Sequence, residues 1–301
     1  MIAQRSKALL DTAIGSLAVG ALRAAKVVRR QPAANFAGAL MRKTGPLLKE
    51  HRLGRDNLRA AFPEKSDAEI EKILAGVWDN LGRVAAEFVH LDEFHIEQAG
   101  STAPNAIILE PETFARYRRM MEGGKGTLSF SCHFANWEVG AVAARLLGTN
   151  SAVLYRRPNL AAVNDAIIKL RTGVMGQMIA TGLDAPVRLA RLLEAGVHVG
   201  MLVDQHFGRG VDVTFFGRSC KANPLIALLA RQTECPIHGL HVVRLPDGNR
   251  FRGELTEPIT PPRAPDGRID IQGTMQTITT VVEGWVREHP EQWLWLHRRW
   301  R

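Results

Sequence analysis

The spacing of apolar positions changes along the chain and separates a helical first third from a layered remainder. Ser66, followed three residues later by Glu69, fits a capping box that starts a helix extending to about Phe88. From Gly123 onward short apolar runs alternate with helical stretches, and a closing helix is predicted over 271–289. The predicted strands are 127–131, 152–155, 197–203, 211–215 and 237–244. This alternation predicts a mixed α/β fold, with a largely buried sheet flanked by helices and a helical N-terminal region.

The extreme N-terminus has a different pattern, in which apolar residues form a single helical face between charges. Asp11 and Arg23 leave only the eleven residues of 12–22 uncharged, fewer than the ~20 that a spanning helix needs. We therefore predict that 1–30 is an amphipathic helix lying in a membrane surface. An amphipathic helix packed on the protein's own core is the alternative. The residues of the apolar face are Leu10, Ile14, Leu17 and Ala21.

Length and composition indicate a packed globular protein. The chain has 301 residues, of which 46% are hydrophobic and 23% charged. We predict one domain over 31–301, mainly helical over 31–100 and α/β over 123–301. Three cysteines without a CxxC pair support neither a disulfide framework nor a cysteine-rich zinc site, and they indicate a reducing compartment.

Net charge is concentrated at one end of the chain. The formal charge is +9, and residues 1–60 contain twelve Lys or Arg against three acids, so the remaining residues sum to zero. Such a segment is typical of contact with an anionic partner, although a solvated helical surface is also possible. Because no nucleic-acid-binding motif accompanies it, we expect an anionic membrane surface and no nucleic acid.

The residues with the clearest chemistry follow the first predicted strand of the α/β region. His133 lies just past the end of that strand, where ligand and catalytic groups of open α/β sheets gather. Glu138 falls in the first turn of the next helix, from which its carboxylate can fold back onto the imidazole and leave the other ring nitrogen as a general base. A metal site including His206 and a thiol nucleophile at Cys132 are alternatives. The chain has no HExxH motif, and we expect no metal and no cofactor.

Three further groups are candidates for substrate binding. Arg156 follows a predicted strand, and Asp204 lies at the carboxyl end of another, where it either contacts substrate or caps a turn. Arg209, between two glycines, forms a basic turn able to approach phosphate. A planar guanidinium suits phosphate, although each of these arginines is equally compatible with a solvated surface.

Five segments in order carry a resemblance to a known family. They are Asn57-Leu58 with Phe62-Pro63-Glu64, His133 to Glu138, Tyr155-Arg156, Asp204 followed by Phe215-Phe216-Gly217, and 292–299. The pair of His133 with Glu138 resembles the HX4D/E motif of glycerolipid-type acyltransferases, and its surroundings are similar to the branch that adds secondary acyl chains to lipid A.

The resemblance implies an acyltransferase that takes an acyl chain from acyl carrier protein and esterifies a hydroxyl of a lipid A precursor. It implies His133 as general base, Glu138 as its orienting group, and Arg156, Arg171, Asp204 and Arg209 as substrate-binding residues. It places the enzyme at the cytoplasmic face of the inner membrane, and the short apolar segment favours monotopic over single-pass attachment.

Other function classes stay open on the residues alone. One alternative is an acyltransferase whose acceptor is another glycolipid or a phospholipid. A metal-assisted or thiol hydrolase of lipid esters would release fatty acid with no acceptor present. A noncatalytic basic module is disfavoured, because no recognised nucleic-acid-binding pattern accompanies the basic segment.

Overall fold

An eight-stranded sheet forms the centre of the computed structural model, which describes residue 20, residues 24–157 and residues 161–300. Its strand order is β1-β2-β10-β9-β3-β6-β4-β5, and every neighbouring pair is parallel except β9 with β10. The strands of this sheet are β1 (His95–Gln98), β2 (Ala106–Leu109), β3 (Leu128–Ser131), β4 (Ser151–Tyr155), β5 (Gln177–Ala180), β6 (His198–Leu202), β9 (Ile237–Arg244) and β10 (Phe251–Leu255). A separate antiparallel hairpin consists of β7 (His206–Phe215) and β8 (Arg218–Ala222).

Helices flank the sheet and form the N-terminal region. The helices of the described residues are α1 (Arg30–Thr44), α2 (Lys49–Ala61), α3 (Asp67–Glu87), α4 (Pro111–Glu122), α5 (Trp137–Leu146), α6 (Ala161–Met175), α7 (Ala185–Glu194), α8 (Leu225–Thr233) and α9 (Ile271–Glu288). Short 3₁₀ turns occur at Gly45–Leu47, Phe88–Glu93 and Pro290–Gln292. The mixed α/β fold with a helical N-terminal region is confirmed.

The capping box predicted at the start of α3 is present. The Ser66 backbone N–H donates to Glu69 Oε2 over 2.8 Å, and the Glu69 N–H donates to the Ser66 hydroxyl. These two bonds satisfy N–H groups that the first helical turn leaves without partners. Ile70, Leu74 and Val77 then recur on one face of α3 and are buried.

Most predicted strands belong to the central sheet, but one does not. The run 211–215 lies in the β7–β8 hairpin. Five strands were not predicted from the sequence: β1, β2, β5, β8 and β10. The carboxyl-terminal segment packs inward, with Trp293 and Trp295 buried within a cluster of aromatic rings. The other rings of this cluster are Phe62, Phe215, Phe216 and Trp300.

The predicted membrane-associating helix over 1–30 lies largely outside the described residues, which include only residue 20 and residues 24–30 of it; the backbone turns over 26–28 before α1 begins at Arg30. Within the part of the chain that the structure describes, no helix combines the length and apolar character required to cross a membrane.

Candidate active site

The register of two neighbouring strands brings His133 and Asp204 together. β3 and β6 are parallel partners with Ser131 opposite Leu202, and His133 and Asp204 each follow two residues later. His133 Nδ1 lies 2.8 Å from Asp204 Oδ1, and the His133 backbone N–H donates to Oδ2 over 2.9 Å. The indole N–H of Trp293 donates to the same Oδ2 over 2.9 Å. The Asp204 carboxylate is therefore buried, and both of its oxygens have hydrogen-bond partners within the protein.

Burial and charge set the protonation of this pair. Burial alone would lower the pKa of His133, but the charge of Asp204 and its hydrogen bond outweigh it and raise that pKa above the usual range. Burial would likewise raise the pKa of Asp204, yet His133 holds it well below its usual range. An ionised Asp204 accepts from Nδ1–H and leaves the lone pair on Nε2, which faces the side-chain amide of Gln205 at 3.4 Å.

The partner predicted for the His133 imidazole is therefore wrong. Glu138 does lie in the first turn of α5, but its carboxylate receives both Nε (3.0 Å) and Nη2 of Arg171 from α6. Sheet register, rather than proximity along the chain, selects the partner of His133. The interpretation of Asp204 as a substrate contact is also corrected, because its carboxylate is buried against His133 and Trp293.

The loop that carries His133 is held in a strained shape by distant segments. Ala135 has φ +46°, a left-handed conformation unfavourable for a residue with a side chain. Its N–H donates to the Gln292 carbonyl over 2.8 Å, and its carbonyl accepts from Asn80 Nδ2 of α3 over 2.9 Å. The Leu294 N–H donates to the His133 carbonyl over 3.0 Å. These bonds clamp both sides of the loop.

A buried charge network supports the start of α5. Glu87 of α3 is fully buried and receives Arg30 Nη1 (3.0 Å) and a bidentate pair from Arg244 (2.6 and 2.9 Å). Asn136 Nδ2 donates to the same carboxylate over 2.9 Å, while Asn136 Oδ1 caps α5 by accepting from the Glu138 N–H. We call this set the Glu87 network. It connects α1, α3 and β9 to the residue that begins the helix after His133.

A cavity of about 640 Å³ opens beside His133 and extends along the face of the sheet. The sheet forms the floor of this cavity, where Ser129, Gly200 and Val153 are neighbours across β3, β6 and β4. A Cβ built on Gly200 would meet no described atom within 4 Å, so this glycine leaves open space in mid-floor. The floor continues from Ser131 and Leu202 near His133 to Ser151 and His198 at the inner end.

The dimensions and lining of this cavity suit an extended apolar chain. His133 lies beside Asp204, which follows His198 by six residues along β6 and its continuation. At about 3.3 Å per residue, the cavity is about 20 Å long between His198 and His133. The walls above the floor are mainly aliphatic and thioether side chains. They include Met120, Ala141, Ala144, Met175, Met178 and Leu240. Such a lining binds hydrocarbon by excluding water from it.

The remaining predicted residues take different places. Arg171 lines the cavity wall, and the exposed Arg156 lies at its rim after β4. Arg209 is exposed on β7 and does not line the cavity. Cys132 is fully buried, and burial raises the pKa of its thiol well above the usual range. No cluster of three His, Cys, Asp or Glu side chains suited to a metal ion occurs among the described residues.

Three residues that support the His133 loop reach it from elements far away in sequence: Asn80, Glu87 and Gln292. Asn80 and Glu87 have no local sequence signal, and the resemblance over 292–299 did not indicate the contact of Gln292. Asp204 did have a signal, its place at the end of an apolar strand, but that signal could not identify its partner.

The chain matches a known protein family over almost its full length. A family model described as bacterial lipid A biosynthesis acyltransferase matches residues 2–301. A comparison with curated proteins found no match.

Proposed function

This chain belongs to the bacterial lipid A biosynthesis acyltransferase family, and from that premise we propose that it transfers an acyl chain from acyl carrier protein to a hydroxyl of a lipid A precursor. The observation that carries the proposal is the His133–Asp204 pair at the mouth of an apolar cavity. A general base beside a channel that accommodates a hydrocarbon chain is what transfer of a long acyl group to a hydroxyl requires.

His133 acts as the general base in this mechanism. Its Nε2 takes the proton of the acceptor hydroxyl while the hydroxyl oxygen attacks the thioester carbonyl of the donor. Asp204 keeps the other proton on Nδ1 and stabilises the imidazolium that forms. The carbon–oxygen bond forms, the carbon–sulfur bond breaks, and His133 returns its proton to the departing sulfur. No covalent enzyme intermediate is needed, because the substrate supplies the nucleophile.

The cavity accommodates the acyl chain, with the thioester at His133 and the methyl end toward His198. Each methylene buried in it contributes about 0.8 kcal/mol, so a long acyl chain contributes several kcal/mol to binding of the donor. Small residues of the floor, Ser129 and Gly200, leave the space that the chain fills.

Charged groups at the wall and rim are assigned to the polar parts of the substrates. Glu138 holds the Arg171 guanidinium through Nε and Nη2, which leaves Nη1 directed to other acceptors. Arg171 and Arg156 are suited to acceptor phosphate or to the oxyanion that develops at the thioester carbonyl. The negative charge of Glu138 also favours the imidazolium, since it raises the pKa of His133. Arg209 on the exposed hairpin contacts headgroup phosphate farther out.

The donor and the charge distribution support a location at the cytoplasmic face of the inner membrane. The resemblance implies a donor that is delivered from the cytoplasm, and the basic first fifth of the chain complements anionic phospholipid. Another glycolipid or a phospholipid is the alternative acceptor.

The test uses detergent-dispersed lipid A precursor, a series of acyl carrier protein thioesters and mass spectrometry of the lipid products. We expect one added acyl group, and we expect His133→Ala to lower turnover by about 10²- to 10⁴-fold. His95→Ala is the matched control, because β1 lies four strands, or about 19 Å, from β3. Wild-type turnover by His133→Ala would contradict the mechanism. Release of free fatty acid without acceptor would favour a hydrolase.

A further inference from the structure

Exposed apolar side chains concentrate on the outer face of α1 and the turn that follows it. Phe36 is 70% exposed, Leu40 46% and Leu47 83%, in a protein whose other large apolar residues are mostly buried. The exposed residues Gln31, Asn35 and Arg42 lie on an adjoining part of the α1 surface. At 100° per residue, the five other exposed positions of α1 and its preceding residue fall within an arc of about 80°. We call the whole set, with the residue of the following turn, the outer stripe: Arg29, Pro32, Phe36, Leu40, Lys43 and Leu47.

The opposite face of α1 is fixed to the protein at close range. A Cβ on Gly82 of α3 would stand 2.4 Å from the Ala37 carbonyl oxygen, and one on Gly38 would stand 2.6 Å from Asp79 Oδ1. Arg30, at the first turn, is buried in the Glu87 network. The packing therefore presents the outer stripe on a rigid element rather than on a loose terminal arm.

Charge around the outer stripe has a single sign over a long stretch of chain. Residues 12–49 contain no Asp or Glu and seven Lys or Arg. Arg29, Lys43 and Lys49 are exposed. The neighbouring acid on α3, Asp79, is already paired with Arg42 and Arg83. An apolar stripe bordered by cations is the pattern of an element that lies in an anionic interface.

We propose that the outer stripe inserts into the headgroup boundary of an anionic phospholipid bilayer. The inference rests on the proposed function, because an enzyme with a lipid acceptor works where that acceptor lies. Phe36, Leu40 and Leu47 enter the acyl boundary, while Arg29 and Lys43 pair with lipid phosphates. Apart from Arg29, this surface lies beyond the predicted membrane-associating segment 1–30, and Arg30 ties α1 through the Glu87 network to the loop that carries His133.

Site-specific labelling tests the insertion in the full chain. Cys132, Cys220 and Cys235 are all buried, so an environment-sensitive thiol probe labels a single introduced cysteine. Phe36→Cys and Leu47→Cys report on the outer stripe. Leu228→Cys is the matched control, since Leu228 is a 45% exposed leucine on α8. The protein is mixed with vesicles of phosphatidylethanolamine and phosphatidylglycerol that carry a quencher in the acyl region.

We expect quenching at positions 36 and 47 and little at 228, with less quenching on phosphatidylcholine alone or at high salt. Equal quenching at 36, 47 and 228 would overturn the proposal. Shielding of position 36 without vesicles, together with a concentration-dependent increase in mass, would overturn it in favour of a contact between copies of the chain.

Partition measurements give the size of the effect. The double variant Phe36→Ser, Leu40→Ser should weaken vesicle binding by about tenfold or more, whereas Leu228→Ser should not. Lys43→Gln should weaken it by about fivefold, and Arg118→Gln on α4 is its control. None of these residues belongs to the catalytic site, so turnover on detergent-dispersed substrate should stay at the wild-type level. If the wild-type protein transfers the acyl group but does not insert the outer stripe into vesicles, the insertion proposal is refuted and the proposed function stands. If it inserts but does not transfer, the proposed function is refuted and the insertion proposal stands.

Discussion

Filling the middle of the cavity tests directly where the acyl chain lies. Gly200 is the middle residue of β6, and a Cβ there would enter open space between Ser129 and Val153. Its φ is not in the left-handed region, so a larger side chain is compatible with the strand. Gly200→Leu should therefore fold and block the floor, leaving the path from His133 to position 200 open.

The magnitude follows from position and from the area lost. Gly200 lies four residues from the level of His133, so about 13 Å of the channel stays usable out of about 20 Å. A leucine side chain takes the space of about four methylene groups of the acyl chain. At about 0.8 kcal/mol for each methylene, the donor loses about 3 kcal/mol of binding free energy. A donor whose chain extends past the block should lose about 10²-fold in kcat/KM. A chain that ends before the block should lose little.

The assay compares kcat/KM over a series of acyl carrier protein thioesters of increasing chain length. Gly284→Leu is the size-matched control, because Gly284 is exposed on α9 and a Cβ there also meets open space. An equal loss for short and long donors would refute the reasoning. So would an unchanged length preference in a folded Gly200→Leu protein.

Three further outcomes follow from the site. Asp204→Asn removes the charge that raises the pKa of His133, so the acidic limb of the pH profile of kcat/KM should move to lower pH. The plateau of kcat/KM should fall by about 10²- to 10⁴-fold. An acidic limb at the wild-type pH would contradict the pairing of His133 with Asp204. Glu87→Gln removes the carboxylate that pairs with the buried Arg30 and Arg244, so it should lower the free energy of unfolding by about 3–5 kcal/mol. Denaturant titration measures this change, and an unchanged midpoint would argue against the Glu87 network. Cys132→Ala should keep most of the turnover and thiol reagents should not inactivate the folded enzyme, whereas loss of activity in both tests would favour a thiol nucleophile.

Local pattern was sufficient for much of the fold. Short segments rich in apolar residues between turn signals identified β3, β4, β6 and β9, and Ser66 with Glu69 identified the start of α3. The missed strands have four or five residues each, and in β10 Arg252, Gly253 and Glu254 separate the apolar ends Phe251 and Leu255. Pairing with neighbouring strands stabilises such short segments as strands.

The site was predicted only where its signal was local. His133 and the first-turn position of Glu138 both follow from a strand, a loop and a helix in succession. The contact of His133 with Asp204 spans 71 residues and depends on the crossover that makes β3 and β6 neighbours. No periodicity in a single sequence states which strands become neighbours. Spacing alone therefore predicted Glu138 in contact with His133, whereas the sheet register places Asp204 there.

The clamp on the His133 loop has a consequence for the order of folding. Two of its bonds come from Gln292 and Leu294, and the indole that holds Asp204 belongs to Trp293. During synthesis the loop, α5 and the sheet emerge well before these residues, and long-range contacts of this kind close late. A nascent chain therefore carries His133 with its strained loop unsupported and its partner unsecured. Catalytic competence should appear only when the carboxyl-terminal segment docks, and a chain cut before Gln292 should bind hydrocarbon yet fail to activate a hydroxyl.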